Sequence, residues 1–393
     1  MTKSASSDSI PYARQEITEE DIAAVVRVLR SDFLTQGPEV PRFEQAVAEY
    51  CGAAHAVAVN SATSALHIAC RALELGPGDI LWTSPITFVA SANCGLYCGA
   101  SVDFVDVDPI TGNMSVAALE KKLARAKAEG RLPKVLVVVH YAGLSAPMRE
   151  IAALCRPLGI HIIEDAAHAI GGSYEGAPVG NCRYSDIAVF SFHPVKIVTS
   201  AEGGMALTND AALAGRMRLL RTHGITREPG RLEHDDAPWY YEQHDLGWNY
   251  RMADVLAALG HSQLKRLDDY VNRRHALARR YDELLAELPL VLPTYETPEA
   301  RSALHLYVVR VDEEKAGITR REVFESLRAA GIGVQVHYIP VHLQPYYRRT
   351  GFTPGDFPAA EDFYARTLSL PLFPGLAEEQ QRRVVETLDE TLS

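Results

Sequence analysis

Seven short apolar runs alternate with segments of helical periodicity, and this alternation restricts the chain more than any other feature. The runs cover residues 55–59, 79–83, 102–107, 135–140, 160–165, 186–192 and 204–207. Helical patterns lie between most of them, near 63–75, 87–99, 116–129 and 148–158. Strands alternating with helices build a parallel or mostly parallel sheet with helices on both faces. The fold class is therefore α/β, with a mostly parallel seven-stranded sheet. Ligands of such sheets lie in the crevice beyond the carboxyl ends of the strands.

The flanking segments complete the plan. Residues 1–10 are polar and Ser-rich and are expected to form a disordered tail. A helix begins after Thr18 with Glu19, Glu20 and Asp21 in its first turn, where the helix dipole favours acids, and stops near Ser31. A loop over 32–38 leads to a second helix near Pro41. Beyond the seventh run come a helix over 210–222, a charged Trp- and Tyr-rich segment over 225–245, and a helical stretch over 252–288. Pro289 and Pro293 mark the edge of a smaller C-terminal α+β unit. It has strands expected at 305–311 and 334–338, a helix at 320–330 between them and two later helices. The division reads as a large domain over 11–265 and a small one over 266–393.

Charge and cysteine usage narrow the partners. The 393 residues carry a formal net charge of −11, which argues against general nucleic-acid binding and against an anionic membrane surface. Any anionic ligand must then be held by local groups. The six cysteines form no Cys-x-x-Cys pair, and Cys94 and Cys98 lack partners for a zinc site, so free thiols and no metal are expected. The N-terminal segment lacks an apolar signal region and no run is long enough to cross a bilayer, which makes a cytoplasmic location the expectation.

Two strand ends carry the chemistry. The sixth run ends in Ser191-Phe192-His193-Pro194-Val195-Lys196 and is closed by Glu202-Gly203-Gly204. A lysine just past an apolar strand is partly desolvated, which lowers its pKa and makes it a usable Schiff-base nucleophile. The fifth run ends in Glu164-Asp165-Ala166-Ala167-His168. Alone, Lys196 would read as a loop lysine and Asp165 as a turn cap. Together, beside a Gly-rich turn, they fit pyridoxal phosphate (PLP): the lysine holds the aldehyde and the acid meets the pyridinium nitrogen.

Other segments are read on both sides. Asn60-Ser61-Ala62-Thr63-Ser64 opens a helix with small residues, which suits a phosphate; N-capping explains Ser61 or Thr63 equally well. Phe88, in Pro85-Ile86-Thr87-Phe88, is placed either to stack on a pyridine face or to fill a core. Ser191 can offer its hydroxyl to the phosphate. Trp248-Asn249-Tyr250-Arg251 is a structural turn or a site segment, and His337-Tyr338-Ile339-Pro340 ends a small-domain strand facing the interdomain cleft.

The ordered set of these motifs resembles the DegT/StrS-type sugar aminotransferases, a branch of the fold-type I PLP enzymes. The resemblance runs from about residue 10 to the C-terminus. Within that family it looks most like the C4 aminotransferases of pseudaminic acid synthesis. That likeness rests on I-P-Y-A-R-Q from Ile10, L-T-Q-G-P from Leu34, P-I-T-F-V-A-S-A-N from Pro85, H-Y-A-G from His140, S-F-H-P-V-K-I-V-T-S-A-E-G-G from Ser191 and Q-V-H-Y-I-P from Gln335. The resemblance implies that Lys196 forms the Schiff base, Asp165 meets the ring nitrogen, His168 lies near the ring hydroxyl and Phe88 stacks on the ring. It places Ala62, Thr63 and Ser191 around the phosphate. It sends Asn249 to the phosphate of the neighbouring subunit, hence a homodimer. It assigns Tyr12, Asp32, Phe33, Leu34, Thr35, His337, Tyr338, Ile339 and Pro340 to the nucleotide sugar. The implied reaction moves an amino group from L-glutamate to a UDP-4-keto-6-deoxy-N-acetyl hexose of the altrose series. Many family members carry Gln where His168 stands, which predicts a changed detail. The dehydratase offshoot replaces the lysine with histidine; Lys196 argues against it. A transaminase for another nucleotide keto-sugar, a deoxysugar lyase or dehydratase, and a non-catalytic regulator are the alternatives.

Overall fold

The computed structural model describes residues 9–234 and 237–393. All seven expected strands form: His55–Val59 (β1), Ile80–Thr83 (β2), Ser101–Phe104 (β3), Val135–Val139 (β4), His161–Asp165 (β5), Ile187–Ser191 (β6) and Gly204–Thr208 (β7). Their order across the sheet is β1-β7-β6-β5-β4-β2-β3. Only β7 runs antiparallel to its neighbours, β1 and β6. The remaining pairs are parallel. The sheet is therefore mostly parallel.

The strands are apolar on both faces because both faces are covered. In β4 every residue of Val-Leu-Val-Val-Val is buried, as expected of a central parallel strand rich in β-branched residues. Side chains alternate across the pleat. Val135 and Val137 join helices Ala62–Ala72 (α3), Ala90–Tyr97 (α4) and Ala211–Leu220 (α7) in one core. Leu136 and Val138 join Val116–Ala128 (α5) and Met148–Cys155 (α6) in another. Nearer β1, the second face packs on Glu39–Cys51 (α2) and Asp254–Leu264 (α8). All six cysteines are buried free thiols.

The helical stretch expected over 252–288 is two helices, α8 and Leu267–Leu285 (α9), broken at Lys265 and Arg266. Helix α9 serves two cores: Leu267, Tyr270 and Val271 face the large sheet, and Ala278, Tyr281 and Leu285 face the C-terminal unit. That unit holds an antiparallel sheet of Leu290–Val291 (β8), Tyr307–Val311 (β9) and Thr367–Leu370 (β10), in the order β8-β9-β10. Helices Arg320–Ala329 (α10) and Glu378–Leu392 (α11) cover it. The strand expected at 334–338 does not form; it makes only an isolated bridge from Gln335 to Ser369. The place beside β9 is taken by β10, so this segment bends away and brings His337 and Tyr338 to the cavity described below.

Of the tail expected over 1–10, residues 1–8 lie outside the described residues. Ile10 is no part of a loose tail: it is buried in the C-terminal core, bonded to Gly331 and bridged to Ile332. The last two residues of the expected tail thus lead into packed structure. In the charged Trp- and Tyr-rich segment over 225–245, Ile225–Thr226 pairs with Glu242–Gln243 as a short antiparallel ribbon.

Candidate active site

Four strand termini meet at one edge of the sheet. β5 ends at Asp165, β6 at Ser191, β1 leads into Ser61 at the start of α3, and antiparallel β7 begins there at Gly204. Between them and the C-terminal unit lies a cavity of about 370 Å³, within the range usual for small-molecule sites. It is lined by Tyr12, Ala62, Thr63, Phe88, Asp165, His168, Ser191, Lys196, His337 and Tyr338, all expected from the sequence. Larger clefts, of about 530, 670 and 770 Å³, lie elsewhere on the surface and hold neither Lys196 nor Asp165.

Lys196 sits on the turn after β6, where its N–H donates to the His193 carbonyl at 2.9 Å. Desolvation pushes its amine down from 10.5 to about 8, with the Asp165 charge opposing the shift. At that value the neutral nucleophile is a minor but readily reached form near physiological pH. Asp165 is buried, its Oδ2 accepts from the Ser91 hydroxyl at 2.6 Å and its Oδ1 from the Ala167 N–H at 3.2 Å.

Neutral polar groups surround the amine. His168 and Tyr338 are hydrogen-bonded through Nε2 and the phenol at 3.0 Å. Burial and the Lys196 charge hold His168 and His305 well below the ordinary imidazole range, and the same causes push His337 down to about 4. His337 Nδ1 is bonded to the Ser369 hydroxyl at 2.8 Å. His305 stacks against His168 with ring centroids 4.4 Å apart and also lines the cavity. In the sequence it stands only as a residue of the strand expected at 305–311; its position two residues before β9 is the available signal.

A phosphate cradle closes the other end. Ser61 caps α3, accepting from the Ser64 N–H at 3.1 Å, and intrahelical bonding resumes at Ala65. The first-turn N–H groups of Ala62 and Thr63 stay available at the cavity wall, where a helix start favours an anion. Gly204 allows β7 to approach this turn: a Cβ there would lie 2.4 Å from the Ser61 carbonyl carbon and oxygen.

Seven expected residues lie outside this cavity's lining. Asp32 and Phe33 line the 670 Å³ cleft beside Glu19–Leu29 (α1) and α8. Their loop is pinned there by Asp254, whose carboxylate accepts from the Gly37 and Glu39 N–H groups at 2.8 Å each. Leu34 accepts from the Asp254 N–H and Thr35 bridges Ala253. Asn249 bridges Thr222. Ile339 is exposed, and Pro340 is buried next to Val341, whose N–H bonds the Pro85 carbonyl.

The residues suit PLP on their own chemistry. The buried Nδ1 of His168 has no hydrogen-bond partner, as expected where a ring hydroxyl would complete it. Phe88 is 59% exposed, its ring open beside Tyr338 at 6.5 Å. A desolvated amine, a carboxylate, an open aromatic face and a helix-start cradle are the four groups this cofactor needs.

Residues 15–389 match the DegT/DnrJ/EryC1/StrS aminotransferase family. The chain belongs to that family. It is accordingly a sugar aminotransferase that works with PLP. It is 40% identical over 382 residues to the spore coat polysaccharide biosynthesis protein SpsC of Bacillus subtilis, covering 96% of each chain. It is 37% identical over 379 residues, again 96% of each, to a UDP-4-amino-4,6-dideoxy-N-acetyl-beta-L-altrosamine transaminase of Campylobacter jejuni. Helicobacter pylori PseC, an aminotransferase involved in pseudaminic acid biosynthesis, superposes with a TM-score of 0.89 at 32% identity, covering 98% of this chain and 99% of that one. Spr1654 of Streptococcus pneumoniae, solved in PLP and PMP forms, superposes at 0.88 with 30% identity, the PLP form covering 98% of each chain. The fold-type I expectation and the cofactor expectation both hold.

Proposed function

We propose that this aminotransferase moves an amino group from L-glutamate to a UDP-4-keto-6-deoxy-N-acetyl hexose of the altrose series, in pseudaminic acid biosynthesis. The observation that carries the catalytic part is the single cavity that holds both the desolvated Lys196 amine, on the turn after β6, and the buried Asp165 carboxylate, at the end of neighbouring β5. Support for the sugar comes from the Campylobacter transaminase and PseC, both matched nearly end to end.

Bound in this cavity, PLP supplies an electron sink for the carbon that loses or gains the amino group. Lys196 holds the cofactor aldehyde between turnovers and moves the proton at the reacting carbon once released, a task suited to an amine tuned near neutral pH. Asp165 keeps the ring nitrogen charged, His168 meets the ring hydroxyl, and Phe88 orients the ring face. Ala62, Thr63 and Ser191 hold the phosphate, with Asn249 supplied by a second copy in a homodimer. Tyr12 and residues 337–340 meet the nucleotide sugar; the loop 32–35, pinned by Asp254 outside this cavity, completes that contact from the second copy, as Asn249 does for the phosphate. We place the enzyme in the cytoplasm, with its cofactor in a large domain over 11–265 and a small domain over 266–393. No helix among the described residues is long and apolar enough to cross a membrane.

A second sugar is kept in view by one observation: SpsC, at 40% identity, is named for spore coat polysaccharide biosynthesis and for no particular sugar. The test is a two-step visible spectrum. PLP-loaded protein should lose its absorption band with L-glutamate and recover it with the UDP-4-keto altrose-series sugar. Recovery only with a GDP- or dTDP-linked keto-sugar would discard the assigned substrate; failure to respond to any amino donor would discard the reaction.

A further inference from the structure

The carboxylate expected to meet the ring nitrogen does not stand alone. Ser91, in the first turn of α4, is fully buried, and its hydroxyl lies 2.6 Å from Asp165 Oδ2. Thr87, 3% exposed, places its hydroxyl 2.6 Å from that of Ser91. A carboxylate has only acceptors to offer. The Ser91 proton therefore points to Asp165, and the Thr87 proton points to the Ser91 oxygen. A carbonyl also lies near Ser91 Oγ, that of Phe88 at 3.3 Å, but the shorter, charge-assisted contact takes the single proton. The direction of the relay follows from these distances.

The relay joins two cofactor contacts that come from different elements. Asp165 ends β5, whereas Phe88 precedes α4. The Ser91 N–H donates to the Phe88 carbonyl at 3.2 Å while its hydroxyl holds Asp165. Ala167 fixes the other carboxylate oxygen. One serine thus ties the ring's nitrogen partner to its stacking partner.

We propose that Ser91 is a positioning residue for the cofactor ring: it fixes the plane of the Asp165 carboxylate and its distance from Phe88, with Thr87 orienting the Ser91 hydroxyl. The proposal rests on the reading that Asp165 meets the ring nitrogen. A serine that merely satisfies a buried polar group would matter for folding but not for how the ring is held.

The test compares Ser91→Ala, Ser91→Cys, Thr87→Val and Asp165→Asn for PLP dissociation by equilibrium dialysis and for the pH midpoint of the bound cofactor's visible band. Thermal unfolding of each apo-protein reports folding separately. Loss of a hydrogen bond to a charged group predicts about a tenfold weaker PLP affinity in Ser91→Ala. The midpoint should rise, because a ring nitrogen held less firmly charged opposes a proton on the Lys196 nitrogen less. Thr87→Val should move both in the same direction by less. A folded Ser91→Ala with affinity within twofold and an unmoved midpoint overturns the proposal. If Ser91→Ala does not fold, unchanged affinity and midpoint in both Ser91→Cys and Thr87→Val overturn it. Failure in the Ser91 and Thr87 variants alongside a large effect of Asp165→Asn sinks only this relay. An unaffected Asp165→Asn sinks the underlying assignment of Asp165 as well.

Discussion

Replacing Lys196 with methionine should make the apo-protein more stable at neutral pH while destroying transfer. The amine is held at about 8 in the folded chain against 10.5 when solvated. Below about pH 8 both states carry the proton, and the folded state bears the full cost of a desolvated ammonium. Between about 8 and 10.5 the unfolded chain binds more proton than the folded one, so stability rises with pH. Above that range the cost is gone. At 1.36 kcal/mol per pKa unit, the penalty at pH 7 is about 3 kcal/mol, and about 1 kcal/mol at pH 9.5. Methionine conserves the stem and removes the charge. Urea denaturation of apo wild type and Lys196→Met should show a gain approaching about 3 kcal/mol at pH 7, shrinking by about 2 kcal/mol at pH 9.5. A variant less stable than wild type at pH 7, or a difference that does not change with pH, would refute the desolvated-amine argument.

Other perturbations test other links. Asp165→Asn removes the charge that raises the Lys196 pKa, so the amine's titration should move below about 8; the pH dependence of acylation of the apo-protein's amine measures it, and an upward move would contradict the pairing. Gly204→Ala drives a methyl into the Ser61 backbone at 2.4 Å; a loss of about 1–3 kcal/mol with weakened PLP binding is expected, read by denaturation and dialysis. His140 Nδ1 accepts from the Ala146 N–H, so its Nε2–H donates to buried Glu164 at 2.7 Å; His140→Ala leaves that carboxylate with Ser185, and chemical denaturation should show a cost of about 1.5–3 kcal/mol for the lost hydrogen bond to a charged group.

What was legible in the sequence was what local pattern encodes. A run of branched apolar residues such as 135–139 announces a buried strand without knowledge of its neighbours. A polar residue at the end of such a run announces the crevice, which is why Asp165 and Lys196 could be paired before any geometry was known. What depended on competition between distant segments was not legible. Residues 334–338 have a strand's composition, but Thr367–Leu370 holds the place beside Tyr307–Val311. Ser91 reads as an ordinary helix-start serine until the sheet brings Asp165, 74 residues away in sequence, to its hydroxyl. The buried contact of His140 with Glu164 arises because β4 and β5 lie side by side. The loop 32–35 carries a family motif, but its pinning by Asp254 beside α8, away from the Lys196 cavity, depends on a residue more than 200 positions away in the chain.

The most direct test of the central claim is to reduce the PLP-loaded protein with borohydride and map the modified lysine by peptide mass spectrometry. The account predicts the pyridoxyl mass on the peptide that contains Lys196 and on no other. A label on another lysine, or none on a protein that binds PLP, would contradict it.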